Sequence, residues 1–219
     1  MSSINKPPHT LTLAQVNWTD ESVPKSAQFD DFYFSTDGGM QEVEHTFILP
    51  NQLPKRFAEL ASNSTFRIAE TGFGSGLNFL MACDLWLKNA PKSAVLHFIS
   101  FEKYPLRIDD LNKALQAWPS LSAFSNKLSK QYPINLEGCH RLEFDNGLVV
   151  LDLYFGDALE SIQAMSYPQT GIVDAWYLDG FGPELTAIVR MTVTQYTSTE
   201  ILSSLESQIN VFPNPANDY

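Results

Sequence analysis

The stretch Glu70-Thr-Gly-Phe-Gly-Ser-Gly-Leu-Asn78 joins a short strand pattern, Phe66-Arg-Ile-Ala-Glu-Thr71, to an apolar helical pattern running from Leu77 to Lys88. Strand, glycine-rich turn and helix in that order make the first unit of a nucleotide-binding α/β fold. Gly72, Gly74 and Gly76 alternate. The pattern is therefore neither the G-x-G-x-x-G of dinucleotide sites nor a Walker loop, which needs Gly-Lys-Ser/Thr. Glycine admits positive φ and lets a ligand approach the main chain with no Cβ in the way. An acid at position 70 repels a pyrophosphate, yet suits a cationic amino-acid moiety near a helix N-terminus. S-adenosylmethionine has that character, with an ammonium group, a sulfonium and no phosphate. Taken alone, the glycines are also compatible with a turn that binds nothing.

Downstream the same alternation continues. Val95-Leu-His-Phe-Ile-Ser-Phe-Glu102 reads as a strand covered on both faces, and Leu106 to Trp118 as a helix between Pro105 and Pro119. Asp145-Asn146-Gly147 is a hairpin signal linking Cys139–Phe144 to Leu148–Phe155. Asp157 to Met165 follows as a helix and Val173 to Leu178 as a strand, so four main strands and a parallel, doubly wound sheet are expected. Acids recur at the strand ends. Glu102 stands where ribose hydroxyls are accepted in such folds. Asp157, in Phe155-Gly-Asp-Ala158, either caps its helix or meets an adenine amino group. Asp179, in Leu178-Asp-Gly-Phe-Gly-Pro183, places a carboxylate and an aromatic face at the carboxyl edge of the sheet, where ligands bind. Jointly these positions point to a ligand site.

Outside this region the sequence says less. Residues 1–65 are turn-rich and read as an N-terminal extension packed on the core, with a hairpin and a strand over Val43–Leu49; residues 66–183 form the core and 184–219 a divergent tail. In the tail, Ile188–Tyr196 is rich in β-branched residues and Ser198–Asn210 has a helical pattern. The 219 residues carry 14 Lys+Arg against 25 Asp+Glu, a net charge of −11. That argues against a basic nucleic-acid clamp, though not against a nucleic acid gripped elsewhere. Cys83 and Cys139 have no CxxC partner and read as buried, reduced thiols. The four histidines are scattered, His97 reading as a core residue, and no metal site is expected. Neither a signal peptide nor a membrane span is expected, so a cytoplasmic protein is.

Together these motifs resemble the N-terminal methyltransferase half of MnmC, the family of bifunctional bacterial tRNA-modification proteins. The likeness runs from about residue 28 to residue 183 and includes Phe29-Asp-Asp-Phe-Tyr-Phe-Ser35, Ala69–Phe79, Leu96–Lys103, Gly138-Cys-His-Arg141, Leu151–Asp157 and Val173–Phe181. It implies a class I S-adenosylmethionine-dependent methyltransferase fold, Rossmann-like, with an N-terminal extension. It also implies methylation of the aminomethyl group on a tRNA wobble 2-thiouridine, giving 5-methylaminomethyl-2-thiouridine. Under this likeness Glu70, Gly72, Gly74 and Gly76 line the methionine end of the cofactor, Phe73 and Asn78 also bind it, Glu102 takes the ribose and Asp157 the adenine side. Asp179 is the catalytic residue beside the amine, Phe181 lies against the base, and Tyr33 and Phe34 close the pocket. The family's FAD-dependent half is absent, and Glu184 to Tyr219 do not align with the family's later strands. The resemblance thus implies a truncated core, incomplete on the C-terminal side of the sheet, that needs further surfaces to hold tRNA and turns over weakly or not at all alone. A cofactor-binding remnant and a small-molecule methyltransferase are the alternative readings.

Overall fold

The computed structural model describes residues 11–20, 23–35, 38–165 and 173–179. Phe181 and the two tail patterns lie outside these residues. Among the described residues, a central sheet of five strands has the order β5-β6-β4-β3-β7, where β3 is Thr65–Thr71, β4 Val95–Glu102, β5 Gly138–Phe144, β6 Val149–Phe155 and β7 Ala175–Leu178. Strands β6, β4, β3 and β7 are parallel, and β5 runs antiparallel to β6. The hairpin strand β5 thus adds a fifth member to the four expected, across the Asp145-Asn146-Gly147 turn, where all three residues have positive φ. Asn and Gly accept that backbone at little steric cost, which is why the sequence signalled it.

Apolar residues on alternate positions divide the sheet into two faces. Ile68, Phe98, Leu151 and Tyr177 face the main core with α3 (Leu77–Asn89), α4 (Ile108–Leu115) and α5 (Ser122–Gln131). Ala69, Ile99 and Phe101 face a smaller cluster with Tyr154 and Trp176, completed by α6 (Ala158–Ala164). The even-numbered residues of β3 and β4 therefore look toward α3. In-register pairing sets Glu70 beside both Ser100 and Tyr177, and Glu102 beside Phe155. The carboxyl ends of the four parallel strands finish at one edge, bringing together acids that are far apart in sequence.

The N-terminal residues contribute a small hairpin, β1 (Val16–Trp18) with β2 (Pro24–Ser26). Trp18 Nε1 donates to Asp110 of α4 at 2.9 Å, and Lys113 lies 4.0 Å above the Trp18 ring. Val43–Leu49, expected as a strand, is helical. The segment α1 (Gly39–Val43) continues into a π-helical turn over Glu44–Ile48. Val43, Phe47 and Ile48 are buried while Glu44 and His45 are exposed, so the apolar spacing is i, i+4, i+5 and not alternate. Two helices had no signal strong enough to be read from sequence: α2 (Leu53–Ala58), with Pro54 in its first turn, and α5.

Cys83 is buried and reduced, but Cys139 is exposed on β5, contrary to expectation. Apolar neighbours do not bury a residue at the start of an edge strand. His97 lies within β4 and meets Asp152 at 2.8 Å, while Arg141 grips the same carboxylate through two nitrogens at 2.7 Å each. Among the described residues, no helix is long and apolar enough to cross a membrane.

Candidate functional site

The loop after β3 is built by its glycines. Gly76 sits at the N-cap of α3 with φ +79°, and a Cβ there would come within 2.8 Å of Phe73 Cζ and 3.2 Å of Leu128 Cδ2. Gly74, at φ +53°, lies beneath the Tyr33 ring. Left-handed backbone and close contact both require glycine at position 76. The Phe73 ring packs inward at 3% exposure, near Phe79, so this side chain anchors the loop as well as bordering the cavity.

Four carboxylates expected at the site have four different environments. Glu70 is fully buried, accepting from Ser100 Oγ at 2.6 Å and from Asn78 Nδ2 at 2.8 Å. Burial holds its carboxyl well above the usual range, the two hydrogen bonds only partly offsetting it, and Asp179 pushes in the same direction. Asp179, the residue after β7, accepts from the same Asn78 Nδ2 at 2.7 Å. Burial pushes Asp179 up to about 6, with Glu42 and Asp31 adding to the effect and Asn78 opposing it. Glu102 accepts from the amides of Gly74 and Tyr104, both at 2.8 Å; burial raises it and these amides counter the rise. Asp157 faces differently. It caps α6 through the Leu159 and Glu160 amides and pairs with Lys103 at 2.9 Å, which holds its carboxyl below the ordinary value. The capping expectation is what the structure displays, with the Lys103 pair added.

The raised Glu70 carboxyl has a consequence for stability. Its folded value exceeds its unfolded one, so its contribution is present at low pH and lost as pH rises through the folded value. Glu70→Gln keeps an acceptor for Asn78 and, in place of the oxygen that accepts from Ser100, presents an amide that donates to the hydroxyl, without a charge. The variant's melting temperature should exceed the wild type's by more at pH 8 than at pH 5. Equal differences at both pH values would contradict this.

A cavity of about 250 Å³ opens at this edge, lined by Tyr33, Phe34, Gly72–Ser75, Leu77, Asn78, Glu102 and Asp179, together with Asp31 and Glu42. Of the expected site residues, Gly72, Phe73, Gly74, Asn78, Glu102, Asp179, Tyr33 and Phe34 border it. Glu70 lies one layer behind, Gly76 shapes the helix start, Asp157 stands apart, and Phe181 is outside the described residues. Phe34 is buried, its ring 5.0 Å from Trp118, so it forms a wall rather than a mobile cover. Sequence reasoning missed Asp31, Glu42 and Ser100. Asp31 was visible inside Phe29–Ser35 as an acid beside the aromatics; Ser100 becomes visible only through strand register. Among the described residues lining the cavity, Asp31, Glu42, Glu102 and Asp179 are acidic and none is Lys, Arg or His. Such a wall attracts cations and repels phosphate. Among the described residues, no group of three or more His, Cys, Asp or Glu is placed to hold a metal ion.

Comparison with known proteins places this geometry in context. The family described as S-adenosyl-L-methionine-dependent methyltransferase matches residues 119–189. The chain is 50% identical over 180 residues to the tRNA 5-methylaminomethyl-2-thiouridine biosynthesis bifunctional protein MnmC of Pseudoalteromonas translucida, covering 78% of the chain and 27% of that protein. Its identity to the protein of the same name from Aeromonas hydrophila is 50% over 177 residues, covering 80% of the chain and 26% of the relative. The chain thus spans about a quarter of the length of these relatives. The crystal structure of MNMC2 from Aquifex aeolicus superposes with a TM-score of 0.55 at 20% identity, covering 78% of this chain and 51% of that one, which supports the Rossmann-like methyltransferase fold.

Proposed function

We propose that the chain is an S-adenosyl-L-methionine-dependent methyltransferase of the MnmC group and that it transfers a methyl group to the aminomethyl substituent of a tRNA wobble 2-thiouridine. The observation that carries the proposal is the acidic cavity at the glycine loop, four carboxylates with no basic side chain among its described lining residues. An alkylammonium substituent and a cationic cofactor both suit that field. In this reading the protein acts in the cytoplasm, and the loop-and-sheet core over 66–183 carries the site while the preceding residues supply Asp31 to Phe34 as a wall.

The residues fit S-adenosyl-L-methionine. Gly72 and Gly74 leave main chain open to a ligand, where side chains would fill the space. Glu102 has a carboxylate suited to ribose hydroxyls, and Glu70, one layer behind, holds Asn78 at the base of the loop. Asp157, by capping α6 and holding Lys103, shapes the turn on the adenine side. Phe34 and Tyr33 line the substrate side, with Phe181 proposed against the base. Bound there, the cofactor supplies an electrophilic methyl group, which the amine lone pair takes as the carbon–sulfur bond breaks.

Asp179 deals with the proton. An ammonium has no lone pair, so the amine must lose a proton before it reacts, and the Asp179 carboxylate accepts it directly or through one water. The proton then passes to solvent. Only ionised Asp179 does this. With its carboxyl pushed up to about 6, the rate of methyl transfer should fall as pH drops below about 6. An acid limb near pH 4, where an ordinary carboxyl titrates, would remove Asp179 from this role.

Two measurements on the purified chain test the proposal. Calorimetric titration should show saturable binding of S-adenosyl-L-methionine, and labelled cofactor should then methylate tRNA bearing 5-aminomethyl-2-thiouridine. Absence of cofactor binding by the folded chain would overturn it. A net charge of −11 makes tRNA affinity weak and steeply salt-dependent unless another surface supplies the cations.

A further inference from the structure

We infer that Asn78 is a positioning residue whose single amide nitrogen ties the Asp179 carboxylate to the buried carboxylate of Glu70, and that it is not itself a ligand of the cofactor. The inference rests on the proposed role of Asp179. Asn78 lies in the first turn of α3 at 6% exposure, and its Nδ2 donates to Glu70 Oε1 at 2.8 Å and to Asp179 Oδ2 at 2.7 Å. An amide nitrogen has two hydrogens, so this donor is fully committed. Ser100 satisfies the other oxygen of Glu70 at 2.6 Å. The result is a continuous chain, Ser100–Glu70–Asn78–Asp179, running from β4 through β3 and α3 to the end of β7.

Asp179 has need of such a tether. It follows a strand of only four residues, Ala175–Leu178, which pairs on one side with β3 and forms an edge among the described residues. Among the described residues, the charged groups that push on it are of its own sign: Asp31 two residues before Tyr33 and Glu42 on α1. Repulsion from these two acids drives the carboxylate away, and the Asn78 donor holds one of its oxygens in place. Glutamine or leucine would propagate a helix better than asparagine. A serine could satisfy Glu70 but could not reach both acids with separate hydrogens.

The decisive readout is the titration of Asp179 itself, followed by carboxyl-carbon NMR in the full chain labelled at aspartate, with Asp179→Asn identifying the signal. Removing a donor to the ionised form raises a carboxyl, so Asn78→Ala should move the Asp179 midpoint upward by on the order of one pH unit. Cofactor affinity by calorimetry should change less than about threefold, while single-turnover methyl transfer falls by roughly 100-fold, the scale of a misplaced reacting group. If Asn78→Ala does not fold, Asn78→Ser is read the same way, an upward midpoint supporting the inference. An unmoved midpoint in a folded variant overturns it, as does a loss of cofactor affinity above tenfold with the midpoint unmoved, which would make Asn78 a cofactor ligand. Failure of the wild-type chain to bind cofactor would count against the proposed function alone, because the carboxyl titration is read without it.

Discussion

Asp179→Asn should bind S-adenosyl-L-methionine within a few-fold of the wild type and lose methyl transfer by about 10²–10⁴-fold, the usual worth of a positioned general base. Asparagine matches aspartate in shape, and its carbonyl can still accept from Asn78, so the cavity wall should survive. What goes is the capacity to take a proton. Single-turnover transfer to undermodified tRNA, measured beside calorimetry and thermal melting, separates chemistry from binding and from folding. Three other carboxylates line the same cavity; Glu102 is committed to the Gly74 and Tyr104 amides, which leaves Asp31 and Glu42. Undiminished transfer by a folded Asp179→Asn variant would therefore move the base role to one of them, and Asp31→Asn and Glu42→Gln would decide between them.

The second large effect is structural. Gly76→Val should destabilise the fold by about 2–5 kcal/mol, combining the cost of a left-handed non-glycine residue, about 1–2 kcal/mol, with that of overpacking, about 1–3 kcal/mol. The strain comes from φ +79° and from a Cβ that would stand 2.8 Å from Phe73 Cζ. For a chain of this size the melting temperature should drop by roughly 5–20 °C. Relief requires Phe73 to leave its packed position, and Phe73 anchors the loop whose Gly74 amide donates to Glu102. Cofactor affinity should therefore fall even where the variant is folded. A folded Gly76→Val chain with unchanged melting temperature and affinity would show that the loop tolerates another path.

The parallel strands and the glycine loop were legible because their signals are local. Continuous apolar runs, a Gly triplet and an Asn-Gly turn all act within a few residues. The Val43–Leu49 segment misled for a related reason: a helix packed at i, i+4, i+5 can contain a short stretch that looks half-alternate. Cys139 was misjudged because burial depends on the neighbouring strand, and β5 has a partner on one side only among the described residues. At the site, the acids were found one by one from their places at strand ends, yet their relations were not. That Glu70 sits behind the cavity, that Asp157 is turned to Lys103, and that one amide serves two carboxylates are facts of register and helix placement. Glu42 lay hidden because its segment was assigned to the wrong kind of element.

The Trp18 contact with α4 has a consequence for synthesis. Trp18 and its partner Asp110 are 92 residues apart, and at about 5–20 residues per second the ribosome needs roughly 5–20 s to deliver the second after the first. During that interval the hairpin β1–β2 has no helix to dock on, and Phe32 and Tyr33 beside it have no cavity to border. Asp179 emerges later still, 101 residues after the Asn78 that holds it. The parts of the pocket are thus made in the order wall, glycine floor and proposed base. Order of manufacture makes the cavity the last region of the described fold to close, and a nascent chain stalled before β7 would display the glycine loop without the carboxylate proposed to take the proton.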